Sequence, residues 1–172
     1  MLLSQRHLFN IPSEIIYLNT AFMSPLLNSV VEAIAEGTQA KANPWKIKVQ
    51  NFYDESDKAR ALFSKIVNVK SDTIAIIPSA SYGIETAVKN LSHSLKKDIA
   101  ILDKQFPSNV YPWFRLAKEK NVNIRTIPHG SNDLTSSILN SIDEKCGIVS
   151  LPNVLWTTGQ IIDLIKVRQK CD

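Results

Sequence analysis

Residues 78–81, Pro78-Ser79-Ala80-Ser81, have the composition and setting of an anion-binding turn. They follow the apolar run Thr73-Ile74-Ala75-Ile76-Ile77, which reads as a strand. An amphipathic stretch succeeds them, with Ile84, Ala87, Val88, Leu91 and Leu95 at helical spacing. A turn of small residues between a buried strand and a helix start offers free backbone N–H groups and the positive end of the helix dipole. The hydroxyls of Ser79 and Ser81 add donors to the same spot. A plainer role is open to the same residues, in which Ser81 only caps the helix.

The elements that position this turn can be read from the periodicity. Ser29-Val30-Val31-Glu32 has the form of a capping box and predicts a helix to about Ala40. A second helix is predicted over 53–67, with Ala59, Leu62, Phe63, Ile66 and Val67 on one face. From residue 71 the pattern alternates. Strands are predicted at 73–77, 99–102, 122–127 and 147–151, and helices at 82–95, 110–120 and 134–142. Pro112 falls in a first helical turn, where its missing N–H costs nothing. Apolar strands separated by helices imply an α/β fold, a mainly parallel sheet flanked by helices. Such sheets bind ligands beyond the carboxyl ends of their strands. The turn at 78–81, residues 105–108 and the stretch after Leu151 all sit at such ends.

Four stretches together resemble the class V aminotransferase-type enzymes, the superfamily of cysteine desulfurases and kynureninases that use pyridoxal 5′-phosphate (PLP). The turn at 78–81 is similar to that family's phosphate cup. Tyr17-Leu18-Asn19-Thr20-Ala21 resembles its N-terminal "YLN-T/S-A" segment. The run from Asp103 to Trp113, containing Phe106-Pro107-Ser108-Asn109 and Pro112-Trp113, resembles its "E-H-x-x-N-x-x-P-W" or "F-P-S/T" segment. Trp156-Thr157-Thr158-Gly159-Gln160, with Asp163 beyond, resembles its "G-Q-x-x-D" stretch.

The resemblance implies a role for each matching residue. Ser79, Ala80 and Ser81 would hold the cofactor phosphate. Phe106 would stack on the pyridine ring, where desulfurases carry a histidine and kynureninase-like members a phenylalanine. Trp156 matches a position that reaches the cofactor's phenolic oxygen in relatives, although an indole N–H only donates, and a packing role suits it equally. Asn19 and Thr20 would lie near the substrate. The family's PLP-holding lysine and its pyridine-pairing aspartate lie beyond the Gly-Gln-x-x-Asp stretch. No lysine here has the Ser/Gly-x-His/Tyr-Lys context, and Lys104 reads as a surface residue.

By this resemblance the 172 residues would correspond to one incomplete domain, the first half of a fold type I large domain: 1–70 a helical N-terminal segment, 71–172 the α/β part. The complete enzyme would act on an amino-acid-like substrate, as a homodimer. The chain alone would be inactive, with no catalytic residue assignable. An alternative is a non-catalytic α/β module that binds a phosphate-bearing small molecule, although no Gly-x-Gly-x-x-Gly or Gly-x-x-x-x-Gly-Lys pattern is present.

Composition narrows the remaining classes. An apolar share of 44% and a charged share of 21% are those of a globular domain. The net charge of +4 is scattered, without basic runs interleaved with aromatics, so nucleic acid is not implied. Cys146 and Cys171 have no metal-ligand or Cys-x-x-Cys spacing, and His7, His93 and His129 read as surface or turn residues. No apolar run reaches membrane-spanning length, and Met1 to Arg6 contain no signal-peptide core, so the expected location is cytoplasmic.

One prediction follows from the lysines. Mixed with PLP and reduced with borohydride, the chain should yield no single, stoichiometrically modified lysine peptide by mass spectrometry. One such peptide would show that a lysine outside the family context can hold the cofactor.

Overall fold

The computed structural model describes residues 3–20, 22–93 and 95–172, and the chain divides into two compact units, Met1–Ile76 and Ile77–Asp172. Ala21, Met1 and Leu2, which figured in the sequence reading, lie outside the described residues.

The first unit is helical. It holds α1 (Asn28–Lys41), expected from the Ser29–Glu32 capping box, and α2 (Asn51–Val67), expected from its apolar face. The capping box does not form. Leu27 is held extended by a backbone bridge to Phe9, so the helix starts at Asn28 and Ser29 falls inside it. A capping hydroxyl must sit on the non-helical residue before the first turn. At the other end, Asn68 takes the left-handed conformation (φ 54°) and Val69 N–H returns to Ser64 O at 3.0 Å, closing α2. Among the described residues, every fully buried apolar side chain belongs to the second unit. Ile34, Phe52 and Ile66 of the two helices remain exposed.

The strand expected at 73–77 is absent. Ser71–Thr73 form a 3-10 turn, and residues 74–77 after it belong to no ladder. Ile76 is 57% exposed. A strand exists only through its neighbours, and no other described segment lies alongside this one to complete a ladder.

The second unit is built on β1 (Asp98–Leu102), β2 (Ile124–Ile127) and β3 (Cys146–Ser150), all parallel, in the order β2-β1-β3. Helices α3 (Ala80–Leu91), α4 (Tyr111–Lys120), α5 (Leu134–Ser141) and α6 (Leu164–Cys171) flank them. Successive residues of the central strand face opposite sides. Ile99 and Ile101 pack with Val88 of α3 and with Trp113 and Leu116 of α4. Ala100 and Leu102 pack with Leu134 and Ile138 of α5 and Val167 of α6. Both faces are therefore covered, as a parallel sheet requires.

Two element ends differ from expectation for local reasons. α3 stops at Leu91, where a turn at Ser92 and His93 begins, although Leu95 still packs on the core. β2 starts at Ile124 because Asn121 closes α4 in the left-handed conformation (φ 53°) and Val122 N–H still bonds Ala117 O. β3 carries an extra residue against β1: Asp98 pairs with Cys146 but Ile99 with Ile148. Gly147 fills that bulge, and a Cβ there would lie 2.9 Å from Lys97 Cβ.

The amino ends of the strands are tied by charge. Arg125 bonds Asp98 at 3.0 Å and Asp143 at 2.8 Å. The guanidinium holds both carboxyls below their ordinary value of 3.8, with backbone N–H groups assisting. The arginine's own pKa is raised, first by Asp143 and then by Asp98. No helix among the described residues is long and apolar enough to cross a membrane.

Two outcomes are expected. Ile138→Ala, at a fully buried site, should cost about 2–5 kcal/mol in denaturant unfolding. Because the folded carboxyls titrate below 3.8, their stabilisation is complete above that pH and is lost as the pH falls beneath it. Arg125→Gln should therefore lower the melting temperature at pH 7 and shrink the further fall in melting temperature between about pH 5 and pH 2.

Candidate functional site

Ser79 is extended (φ −164°, ψ 161°), and its Oγ accepts the Tyr82 N–H at 3.2 Å. The helix cap is therefore Ser79, not Ser81. Capping uses one N–H of the first turn. The N–H groups of Ala80 and Ser81 have no acceptor among the described residues, and the exposed Ser81 hydroxyl stays available. The turn is held from behind by Ile77, whose Cδ1 lies 2.6 Å from where a Cβ on Gly83 would stand. A side chain at position 83 would require the end of Ile77 to shift. The result is a helix N-terminus with two free donors and a hydroxyl, chemistry suited to a phosphate.

The segment leaving β1 folds tightly. Asp103 Oδ1 accepts the Lys104 N–H at 2.9 Å, and Lys104 adopts φ 52°. The chain is thus not extended here, and Lys104 is exposed, as its surface reading required. Gln105 turns inward: it is buried, and its Oε1 accepts the Phe106 N–H at 3.0 Å. Its Nε2 is buried without a hydrogen-bond partner among the described residues. Phe106 points the other way and is 46% exposed. Its ring meets that of Trp156 edge to face, with centroids 5.4 Å apart and planes at 85°. The indole Nε1–H of Trp156 donates to Lys104 O at 2.9 Å. A 3-10 turn, Pro107–Asn109, follows and packs against α3. Asn109 Oδ1 accepts the Ser150 hydroxyl at 2.8 Å, linking that turn to the end of β3.

The stretch after β3 explains its own motif. Val154 and Ile161 form an antiparallel bridge, and Gly159 closes the loop between them with φ 75° and an N–H to Leu155 O at 2.8 Å. Gln160 Nε2 donates to Ser131 O at 3.1 Å, tying the loop to the segment after β2. Asp163 caps α6 by accepting the Lys166 N–H at 3.1 Å, a bond that lowers the carboxyl's pKa. Gly159 and Gln160 thus shape and anchor the loop that carries Trp156, while Asp163 starts the helix after it.

Phe106 and Trp156 are brought together, and α3, which begins at the Ser79–Ser81 turn, lies against the turn that follows Phe106. Asn19 and Thr20 belong to the first unit, in a turn where Asn19 O accepts the Met23 N–H at 3.1 Å and Tyr17 Oη donates to Met23 O at 2.6 Å. The sequence reading placed residues 105–108 at a strand end but not the burial of Gln105, missed the Asn109–Ser150 link, and read His129 as a surface or turn residue, whereas its Nδ1 lies 3.1 Å from Asp103 Oδ2. Asp103 directly follows one strand and His129 closely follows its parallel neighbour. That shared offset was the available signal. An open groove of about 1070 Å³, lined by Lys97, Cys146 and Arg168 among others, lies at the opposite, amino ends of the strands.

The aminotransferase class-V family profile matches residues 16–172. An uncharacterised aminotransferase of Bacillus subtilis, YcbU, is 25% identical, the match covering 76% of this chain and 38% of that protein. An uncharacterised protein of Schizosaccharomyces pombe is 23% identical, covering 87% of this chain and 35% of that one. Among solved structures, a mutant of C-DES with glycine covalently linked to its PLP cofactor superposes with TM-score 0.82 at 22% identity, over 98% of this chain and 46% of the other. The cysteine desulfurase CsdA of Escherichia coli superposes with TM-score 0.81 at 18% identity, over 95% and 44%. The chain therefore spans less than half the length of these relatives. Its fold is that of these enzymes, and the chain is a member of the aminotransferase class-V family.

Proposed function

We propose that this chain supplies the phosphate-gripping and ring-covering side of a PLP site in an enzyme acting on an amino-acid-like substrate. The observation that carries the reading is the pairing of a donor-rich α3 N-terminus with a half-exposed aromatic at the carboxyl end of the central strand. The unpartnered N–H groups of Ala80 and Ser81 fit a phosphate, and the half-exposed Phe106 fits an aromatic ring. The family and the PLP-bearing C-DES structure favour the same cofactor.

When bound, PLP supplies an electron sink for bond breaking in an amino substrate. The residues of this chain have other duties. Ala80 and Ser81 anchor the phosphate through N–H groups aligned with the helix dipole, an attachment that needs no titrating group. Phe106 limits water on one side of the ring. It carries no proton to give or take, so acid–base steps on that side belong to other groups. That distinguishes the site from the histidine-bearing desulfurase pattern. Asn19 and Thr20 are proposed to meet the substrate.

A titration tests this reading. Ser81→Ala should weaken PLP binding by about 1.5–3 kcal/mol, since it removes a hydrogen bond to a charged group. Phe106→Ala should cost about 0.5–1.5 kcal/mol beyond the lost area. Ser81 is the cleaner probe, because Ser79→Ala would also remove the helix cap at about 1 kcal/mol. Unchanged PLP affinity in both variants would refute the site. Equal affinity for inorganic phosphate and PLP would favour a general phosphate-binding module instead.

A further inference from the structure

We propose that Trp156 is a positioning residue, which sets the orientation of Phe106 through the Lys104 carbonyl rather than touching the cofactor. An indole has one donor and no acceptor. Here that donor is engaged by Lys104 O at 2.9 Å, so none is left for a cofactor oxygen. The bond closes on a backbone that resists it: Lys104 is in the left-handed region at φ 52°, unfavourable for a side chain with a Cβ.

Three interactions converge on this short turn. Asp103 Oδ1 takes the Lys104 N–H, Gln105 Oε1 takes the Phe106 N–H, and Trp156 takes hold of the carbonyl between them. The left-handed residue sends consecutive side chains in different directions, with Gln105 buried and Phe106 projecting outward. The edge of one ring against the face of the other, at 5.4 Å and 85°, then restrains the Phe106 ring itself. Trp156 is 51% exposed, so it is poorly explained as a core residue. Gly159 and Gln160 shape and anchor the loop that holds it. The inference rests on the reading of this crevice as a PLP site and assigns one residue a task within it.

Three measurements on the full chain test the idea. In a ¹⁵N-labelled sample, the Trp156 indole N–H should exchange with solvent far more slowly than that of Trp45, which is 76% exposed. Trp156→Phe keeps an aromatic ring but removes the donor. It should shift the Lys104 and Phe106 resonances while leaving those of Ile138, in the opposite core, in place. The same variant should weaken PLP and phosphate-free pyridoxal by an equal factor of roughly 3- to 10-fold, because only the ring contact is affected. Ser81→Ala should weaken PLP alone. Fast exchange at Trp156, or unmoved Phe106 resonances in the variant, would overturn the clasp. Pyridoxal affinity unchanged by Trp156→Phe would overturn the positioning role. If the unaltered chain binds neither compound, the cofactor reading falls, and the role assigned to Trp156 falls with it. A slowly exchanging Trp156 N–H would then identify the cofactor reading as the part that failed.

Discussion

The second unit depends on the central strand β1, which is hydrogen-bonded on both edges and buried on both faces. Ile99, Ala100, Ile101 and Leu102 are all almost fully inaccessible. Their alternation assigns α3 and α4 to one face and α5 and α6 to the other. Removing water from both faces of one strand gives the apolar driving force, and the two parallel ladders satisfy its backbone in the dry interior. Phe106 and Trp156 both lie on segments that leave the ends of this strand and its neighbour β3.

Rigidity at that end comes from short polar ties rather than from burial. Asp103 and Gln105 each accept a backbone N–H of the residue that follows, and Ser150 reaches Asn109. Gln160 joins the loop after β3 to the loop after β2. Such bonds leave the side chains between them exposed yet held, as Phe106 and Trp156 are. The cost is visible at Lys104, a lysine held in a backbone conformation suited to glycine or asparagine.

The amino ends of the strands are organised differently. Arg125 bridges Asp98 and Asp143 across them, and the bulge at Gly147 lets β3 approach Lys97. Partial exposure makes these ion pairs sensitive to pH and salt. One end of the sheet thus carries the Arg125 ion pairs, while the other carries the Asp103–His129 contact beside the paired rings of Phe106 and Trp156.

The sequence by itself determined five of the six α-helices and the three paired strands, because helical periodicity, cap-type residues and apolar runs are local signals. Asn68, Asn121 and Gly159 mark left-handed positions that their residue types favour. Only the tertiary structure decided whether 73–77 would be a strand, since a ladder needs a partner from elsewhere in the chain. It also decided that Ser29 would not cap α1, because the Phe9–Leu27 bridge moved the helix start. The same holds for the clasp. Lys104 and Trp156 are far apart along the chain, and nothing in either segment announces a bond between an indole and a distant carbonyl. Periodicity reports which face of an element is apolar. Long-range packing alone settles which polar groups of two separate loops come within hydrogen-bonding distance.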